Sequence, residues 1–361
     1  MWPYWLIFLL AGWMAMSRMQ ALPVSLILID IRWRTPWLIT WLFLTLMIGL
    51  RHEVGVDWGN YLPHVEETAG ETLTDVIKGN SDPAYAALNW LGANFFGGIY
   101  LVNTISAALF AWGLVTFCRA QPRPWLALVV AVPYLITVVA MGYTRQGVAI
   151  GFAMLGLTAL MKGSVLRFVF WVTVATAFHK SAVILVPLAI FAGSKYRLLT
   201  LIGATVSALL LFVLLLQESV DALVTTYIEA EYESSGAAIR IAMNALPAVM
   251  FLWFRKHFRL LPSQIVFWTW MSLAALGFVL LLLVSPSSTA VDRIALYWIP
   301  LQLFVWSRLP DVLGRRGRRN PVWVTAVVGY SGAVFFVWLF FASHSFAWLP
   351  YRWYPWVLLW S

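Results

Sequence analysis

The sequence is poor in charged residues and contains a single cysteine. Only 11% of its 361 residues are Asp, Glu, Lys or Arg, whereas 62% are hydrophobic, and the mean hydropathy is +0.82. A soluble domain carries about 25% charged residues, so this composition excludes that class. Because Cys118 has no second cysteine to pair with, no internal disulfide can form, and we interpret it as an ordinary small apolar residue.

Three common catalytic motifs are also missing. The sequence has no Gly-x-x-x-x-Gly-Lys phosphate loop, no Gly-x-Ser-x-Gly turn and no His-Glu-x-x-His zinc helix. ATP hydrolysis, serine hydrolysis and zinc-protease chemistry therefore lack their signatures. A reaction on the outer side of a membrane, where no nucleotide is present, has to use a preactivated substrate, and a lipid-linked sugar diphosphate is the obvious kind.

Apolar stretches recur from end to end and predict an all-α, polytopic membrane protein. A hydrocarbon core of roughly 30 Å needs about 20 apolar residues in a helix. The runs 198–216 and 264–284 are apolar on all sides, which favours helices over barrel strands. The first stretch lacks a basic leader and a cleavage site, so we expect it to be retained. About 12 crossings are predicted, at 2–16, 36–50, 98–117, 124–141, 147–161, 167–179, 180–193, 198–216, 240–254, 264–284, 294–308 and 322–343.

The distribution of charge orients these segments. The apolar stretches are separated by polar connections. Most basic residues fall in every second connection, including the cluster Arg315 to Arg319, whereas the acids concentrate in 53–82 and 218–233. Lys and Arg favour the cytoplasmic side, so the acidic breaks are predicted to lie outside. The net charge of +9 then reflects cytoplasmic anchoring and does not indicate nucleic acid as a partner.

This orientation requires residues 167–193 to cross twice, with a turn at His179-Lys180. Each half is 13 or 14 residues long, which makes a helix of only about 20 Å, so the turn is expected to be recessed in the membrane. Irregular backbone at that depth needs cover from protein or from a wet cavity. A cavity near His179 is therefore predicted.

The chain is interpreted as one transmembrane domain, 1–361, because no internal repeat or low-complexity linker is found. Two outer segments are long enough to fold: 51–97, which contains helix-like stretches, and 217–238, which reads as an amphipathic surface helix. The tail 343–361 is rich in Trp and Tyr, a composition that suits the membrane interface.

Five arginines lie at segment ends assigned to the outside: Arg51, Arg145, Arg240, Arg293 and Arg352. A guanidinium keeps its charge and offers a planar set of donors that fits phosphate, so converging arginines form a natural diphosphate site. Arg240 and Arg352 are secondary candidates, since each could merely extend to the interface. Function is favoured for the other three because polar residues accompany them: Asp57 near Arg51, Gln146 beside Arg145, and Tyr297 after Arg293.

His179 is the best candidate for a general base, and Lys180 beside it is a secondary site residue. A neutral imidazole accepts a proton near neutral pH, and ionisable groups at membrane depth are functional hypotheses by default. Asp57 is the rival base, or a residue that orients an arginine. His52 and His64 match no strong metal-ligand spacing, so no metal site and no cofactor are expected.

Several short motifs follow one another along nearly the whole chain: Arg51-x-x-x-Gly55-x-Asp57-x-x-x-Tyr61, Arg145-Gln146, Phe178-His179-Lys180-Ser181-Ala182, Arg293-x-x-x-Tyr297 and Pro350-Tyr351. Taken in this order, they resemble the EpsG family, which is similar to the Wzy-type polymerases of bacterial surface polysaccharides.

The resemblance implies a glycosyltransferase with the general architecture of the GT-C class in the bacterial inner membrane, with its site facing outward. A growing glycan on undecaprenyl diphosphate would be the donor, and a single lipid-linked repeat unit the acceptor. Other expected partners are membrane lipids and a chain-length regulator and flippase of the same pathway.

Rival hypotheses belong to other classes. An O-antigen ligase or a polyprenyl-phosphate-sugar transferase would share the arginines and the base. A lipid-linked oligosaccharide flippase would instead be expected to show internal pseudosymmetry and charge spread along a transmembrane path. The clustering of these arginines at one face favours chemistry at that face.

Overall fold

The computed structural model describes residues 1–22, 34–95, 97–192, 236–285 and 287–360. Across these ranges the chain is helical, and its only strand-like pairing is an isolated bridge between Arg51 and Trp353. The prediction of an all-α protein is confirmed. The predicted crossing 198–216 and nearly all of the outer segment 217–238 lie outside the described residues.

Within each described range, short connections join successive helices. In chain order they are α1 (Trp2–Ser17), α2 (Thr35–Gly49), α3 (Trp58–Glu66), α4 (Leu73–Lys78), α5 (Pro83–Asn94), α6 (Gly98–Arg119), α7 (Pro124–Ala131), α8 (Thr144–Met161), α9 (Val165–Phe178), α10 (Ala237–Phe254), α11 (Pro262–Val284), α12 (Ser288–Ala295), α13 (Ile299–Trp306), α14 (Leu309–Leu313), α15 (Pro321–Phe341) and α16 (Tyr354–Trp360). α7 continues as a π-helix (Val132–Ala140), and 3-10 helices occupy Lys180–Ala192, Arg255–Phe258, Leu296–Trp298 and Ser345–Trp348.

Several helices have the composition of membrane spans. Four are long and apolar enough to cross a membrane: α6, α10 with its 3-10 extension, α11 and α15. Shorter apolar helices include α1, α2, α7 with its π-helix, α9 and the 3-10 helix that follows it. Every predicted crossing other than 198–216 overlaps a helix of the described residues. Apolar helices of the predicted kind are confirmed, while the number of crossings and the GT-C architecture stay predictions.

α7 and α8 form the centre of the bundle. Every residue of α7 and its π-helix is buried, as is α8 from Gln146 to Leu160. α6 packs on α8 through glycine, since a Cβ on Gly113 would lie 2.0 Å from the carbonyl oxygen of Gly151. Small residues allow helix backbones to approach this closely in a membrane. The residues at the ends of α8 are thereby held in fixed positions.

The predicted break at His179 is confirmed. α9 ends at Phe178, His179 is extended (φ −156°, ψ 112°), and a 3-10 helix begins at Lys180. The 3-10 helix packs against α8, α9 and α11. The irregular backbone is therefore covered by protein, as irregular backbone at membrane depth requires.

The 51–97 segment folds into α3, α4 and α5, as its helix-like stretches predict. Its first turn depends on Gly55, whose φ of +102° favours glycine and whose added Cβ would lie 2.6 Å from the Met141 carbonyl oxygen. α5 packs against α6 and α9. This packing brings the start of α5 beside His179.

One tryptophan of the aromatic tail, Trp348, is buried in the bundle, whereas Trp353 and Trp356 are exposed and their position at the membrane interface stays a prediction. Trp348 is only 1% exposed, and its indole nitrogen donates to the carbonyl of Thr137 at 2.8 Å. The Tyr4 hydroxyl donates to the Trp348 carbonyl at 2.6 Å. Tryptophan can be buried when its N–H finds an acceptor, and here the π-helix supplies one. The tail thus closes over the same end of the bundle as the 51–97 segment.

Candidate active site

A buried carboxylate, Asp82, lies at the centre of the candidate site. Asp82 precedes Pro83 at the start of α5, where an aspartate normally caps the helix, but its side chain makes no capping bond. It is 2% exposed, and its Oδ2 accepts a hydrogen bond from Arg145 Nη1 at 3.1 Å. A buried charge requires such partners, and Asp82 obtains them from other helices.

The break after α9 supplies the other partners of Asp82. His179 Nδ1 lies 3.4 Å from Asp82 Oδ2, and the backbone N–H of Lys180 donates to Asp82 Oδ1 at 3.0 Å. An unbroken helix would place the Lys180 N–H in an intrahelical bond, so this contact depends on the extended residue. We refer to Asp82, Arg145, His179 and Lys180 as the Asp82 cluster.

The cluster keeps Asp82 ionised. Burial alone would raise the pKa of Asp82, but the hydrogen bond and charge of His179, the charge of Arg145 and the Lys180 N–H outweigh burial and lower the pKa below its ordinary value. An ionised Asp82 can accept a hydrogen bond from a protonated His179 Nδ1. In the neutral ring with that tautomer, Nε2 has the free lone pair that a general base requires.

Arg145 connects the cluster to two tyrosines. Its guanidinium carbon lies 6.0 Å from the centre of the Tyr61 ring and 5.9 Å from that of Tyr85. The Tyr85 hydroxyl is buried and has no hydrogen-bond partner among the described residues. About a third of the Arg145 side chain (34%) is exposed, so this arginine is both anchored and open to a ligand.

Asp57 interacts electrostatically with two of the predicted arginines. It stands at the start of α3 and, like Asp82, makes no capping bond. Burial raises its pKa, and the charges of Arg293 and Arg145 oppose that effect without cancelling it.

Arg293, on α12, lies next to the start of α8. Its guanidinium carbon is 4.0 Å from the centre of the Tyr143 ring, and its carbonyl oxygen accepts from Gln146 Nε2 at 2.6 Å. The other amide atom of Gln146, Oε1, is buried without a partner in the described part of the chain. The hydrogen bond from Gln146 to Arg293 therefore links α8 to α12.

Tyr297 follows Arg293 by four residues and is fully buried. Its hydroxyl lies 3.0 Å from the Ser181 hydroxyl, next to the Asp82 cluster. Two sequence motifs, His179-Lys180-Ser181 and Arg293-x-x-x-Tyr297, thus meet in space. Their juxtaposition could not be deduced from spacing, since the residues are more than 100 positions apart.

Arg51 has a different environment from Arg145 and Arg293. It is 1% exposed and donates to the carbonyl oxygens of Ile48 at 2.6 Å and Val54 at 3.3 Å. Its remaining terminal nitrogen donates to Asn103 Oδ1 at 3.3 Å and Thr144 Oγ1 at 2.8 Å. Arg51 braces α2, α6 and the start of α8 directly before Arg145.

The two secondary arginines are paired with acids. Arg240 donates to both carboxylate oxygens of Asp292, at 2.7 and 2.8 Å, in a mostly buried pair next to Arg293. Arg352 pairs with Glu53, and about half of each side chain is exposed. Exposed pairs of this kind contribute little to stability, whereas breaking a buried pair is costly.

Asp82 and Tyr85 were not among the predicted site residues. Ser81-Asp82-Pro83 is the ordinary signature of a helix start, so it did not mark Asp82 as a site residue. Among the described residues, no group of three His, Cys, Asp or Glu side chains could hold a metal ion.

Comparison with known families shows which family this sequence belongs to. No characterised protein and no solved structure matches the chain significantly. The model of the EpsG family matches residues 34–353, a range that contains Asp57, the Asp82 cluster and Arg293. Because this match covers most of the sequence, the resemblance seen in the short motifs is confirmed, and the chain belongs to the EpsG family.

Proposed function

We propose that this protein is a metal-independent polysaccharide polymerase of the bacterial inner membrane. It transfers a growing glycan from undecaprenyl diphosphate onto a lipid-linked repeat unit at the outer face. The observation that carries the proposal is the Asp82 cluster, in which one buried carboxylate holds both a base candidate and a phosphate-binding arginine. Membership of the EpsG family supports a polymerase-like membrane enzyme.

The cluster supplies the proton acceptor. Asp82 holds the His179 Nδ1–H, and Nε2 takes the proton from the acceptor hydroxyl as its oxygen attacks the anomeric carbon of the donor. This division of roles follows the logic of an acid–histidine pair, in which the carboxylate orients the ring and stabilises the imidazolium. Water then removes the proton from the ring after each transfer.

Arg145 and Arg293 act on the leaving group. The bond between the anomeric carbon and the diphosphate oxygen breaks, and undecaprenyl diphosphate leaves with the electron pair. Negative charge grows on the diphosphate in the transition state, and preorganised cations stabilise it where water is excluded. Diphosphate leaves readily at neutral pH, so no general acid is assigned.

Asp57 and Arg51 take supporting roles. Asp57, whose charge interacts with those of Arg145 and Arg293, helps to orient both guanidinium groups before the diphosphate arrives. Arg51, with its donors bound to protein oxygens, positions Thr144 and hence Arg145. Tyr297 and Ser181 hold the His179 break against α12.

Chain growth by the purified protein tests the proposal. In lipid nanodiscs supplied with the lipid-linked repeat unit, Arg145→Lys and Arg293→Lys should each reduce polymerisation by about tenfold or more, because lysine keeps the charge but loses the planar set of donors. Arg352→Lys is the matched control, since that arginine lies in an exposed pair. EDTA should leave the wild-type rate unchanged.

The glycan of a deletion strain separates the alternatives. A polymerase defect leaves a single repeat unit on the lipid, whereas a ligase defect leaves complete polymer that is not attached. Accumulation of complete polymer would contradict the proposal. Loss of activity in EDTA with rescue by a divalent ion would instead indicate a metal-dependent transferase.

A further inference from the structure

The end of the bundle opposite the Asp82 cluster contains a cavity of about 580 Å³. α8 connects the two sites, since it begins at Thr144, next to Arg145, and ends at Met161, which lines the cavity. Its 18 residues make a helix of about 27 Å. The cavity is therefore distinct from the proposed polymerase site, and its role does not rest on that function. We call it the basic-end cavity.

The basic-end cavity carries an excess of positive charge. Its lining includes five basic side chains: Lys162, His257, Arg259, Arg308 and Arg316. Asp311 is the one acidic side chain in the described lining, and it already accepts two hydrogen bonds from Arg123, at 3.1 and 2.8 Å. The cavity consequently favours an anionic ligand.

Much of the remaining lining is apolar. Leu22, Met161, Phe258, Leu261 and Val312 contribute to it. A freely soluble anion would gain nothing from these side chains, whereas an anion on a hydrocarbon chain would bury its chain against them. The cavity volume also falls in the range of about 300–1,000 Å³ that is typical of small-molecule sites.

The loop that carries Arg316 is fixed before any ligand binds. The Asn320 amide donates to the carbonyls of Pro310 and Arg315, each at 2.7 Å, and the Gly317 N–H donates to Asp311 Oδ1 at 3.0 Å. These bonds hold the loop in place against α14. Preorganised groups bind more tightly because less conformational freedom is lost on binding.

Arg259 has an uncommon backbone conformation at the same cavity. Its φ is +47° and its ψ is 52°, the left-handed region that residues other than glycine rarely adopt. Strain of this kind persists where the surrounding structure imposes it, and it is concentrated at functional sites. Arg259 and Arg316 thus reach the cavity from two separately constrained loops.

From these observations we propose that the basic-end cavity binds a phosphate group carried on an apolar chain, such as the headgroup of a lipid in the adjacent membrane leaflet. Arg259 and Arg316 contact the phosphate, and the apolar lining receives the first part of the chain. Basic residues collect at the cytoplasmic ends of membrane proteins in general, so the test must separate the cavity from bulk charge.

The chain offers a matched pair of double variants for this purpose. Arg259→Ala/Arg316→Ala removes two cavity arginines. Arg315→Ala/Arg318→Ala removes two exposed arginines from the same end of the bundle, outside the cavity lining. The two proteins have equal net charge. Both should elute like wild type in size-exclusion chromatography, which checks that they fold.

Binding is measured with the protein in phosphatidylcholine nanodiscs, using radiolabelled decyl phosphate and subtracting the signal of empty nanodiscs. Decanol and inorganic phosphate, used as competitors, report on the chain and the headgroup alone. We expect the cavity variant to weaken decyl phosphate binding by about tenfold or more, because it removes two donors of charge-assisted hydrogen bonds to the phosphate. The control variant should stay within about twofold of wild type.

Each other outcome overturns the proposal. Equal weakening in the two double variants would show that only bulk charge matters. Competition by inorganic phosphate as strong as that by unlabelled decyl phosphate would replace the lipid with a soluble phosphate compound. Absence of saturable binding to the wild-type protein would remove the site.

Discussion

At the scale of single residues, the central feature is an aspartate whose local position and tertiary role differ. Asp82 begins a helix, but its carboxylate contacts His179, Lys180 and Arg145 instead of capping it. Its depressed pKa means that these contacts contribute stability above the ordinary pKa of aspartate. That stability is lost as the pH falls through the lowered value.

We predict that Asp82→Asn and His179→Ala both reduce kcat, by about 10²–10⁴-fold for the histidine, the usual contribution of a general base. An asparagine amide can donate to Nδ1, which would shift the ring proton to Nε2 and block the base. KM for the lipid-linked substrate should change less than kcat in His179→Ala. The measurement is the initial rate of chain growth at several concentrations of the lipid-linked substrate, repeated over a range of pH.

Glu66→Gln is the control for this pair, since Glu66 is an exposed acid of the same outer segment. It should leave both kinetic constants near wild type. Full activity in His179→Ala would remove the histidine from the mechanism and leave Asp57 as the base.

Asp57→Asn should lower activity and raise stability at neutral pH. The pKa of Asp57 is raised in the folded protein, so this residue destabilises the fold as the pH rises above the ordinary pKa of aspartate, and the penalty is complete above the raised value. Asparagine removes the charge and with it the penalty. Thermal unfolding in nanodiscs should therefore give a higher Tm for the variant at pH 7, with a difference that shrinks as the pH approaches the ordinary pKa of aspartate, about 3.9. A lower Tm at pH 7 would show that the carboxylate stabilises the fold.

The sequence favoured Arg51, Arg145 and Arg293 over Arg240 and Arg352, but it could not show that Arg51 has a different environment from Arg145 and Arg293. All five candidates share the same side chain and the same predicted depth. Their roles depend on neighbours distant in sequence: Arg51 is enclosed by protein oxygens, Arg240 is held by Asp292, and Arg145 keeps a third of its side chain exposed. Pairings over such separations are set by packing, which periodicity does not report.

At the scale of elements, the break between α9 and the following 3-10 helix was predictable because charge constrains topology. If residues 167–193 formed a single crossing, every later connection would change sides, and the acidic segment 217–238 would lie in the cytoplasm. The π-helix Val132–Ala140 was not predicted. It lies where the tail packs, and the Trp348 indole donates to the carbonyl of Thr137 within it.

The contact between α6 and α8 gives a prediction at this scale. Gly113→Ala should lower Tm and protein yield, because the new Cβ would meet the Gly151 backbone, and overpacking costs about 1–3 kcal/mol or more. Gly277→Ala is the control, since a Cβ there has no neighbour within 4 Å on an exposed face of α11. It should be neutral or slightly stabilising, because alanine favours helix. Equal Tm values for the two variants would contradict the close packing.

At the scale of the whole molecule, the protein has two chemically different ends. One end gathers the Asp82 cluster, the 51–97 segment and the aromatic tail, and the other holds the basic-end cavity. Composition alone predicted the helical membrane class, because few soluble folds can use so little charge. Only the tertiary structure shows that these segments, which are separate in sequence, meet at one end.

The last prediction concerns the side of the membrane that each end faces. It depends on the predicted double crossing of residues 167–193, with its turn at His179. We expect the start of α9 and the segment after the 3-10 helix to share the cytoplasmic side, with the break open to the outside. Single cysteines at Val165, Ser181 and Tyr196, in a Cys118→Ala background, would report this through a small membrane-impermeant thiol reagent in intact cells. Position 181 should be labelled from outside, whereas 165 and 196 should be labelled only after permeabilisation. Labelling of position 196 in intact cells would mean a single crossing by residues 167–193, and every later segment would then change sides.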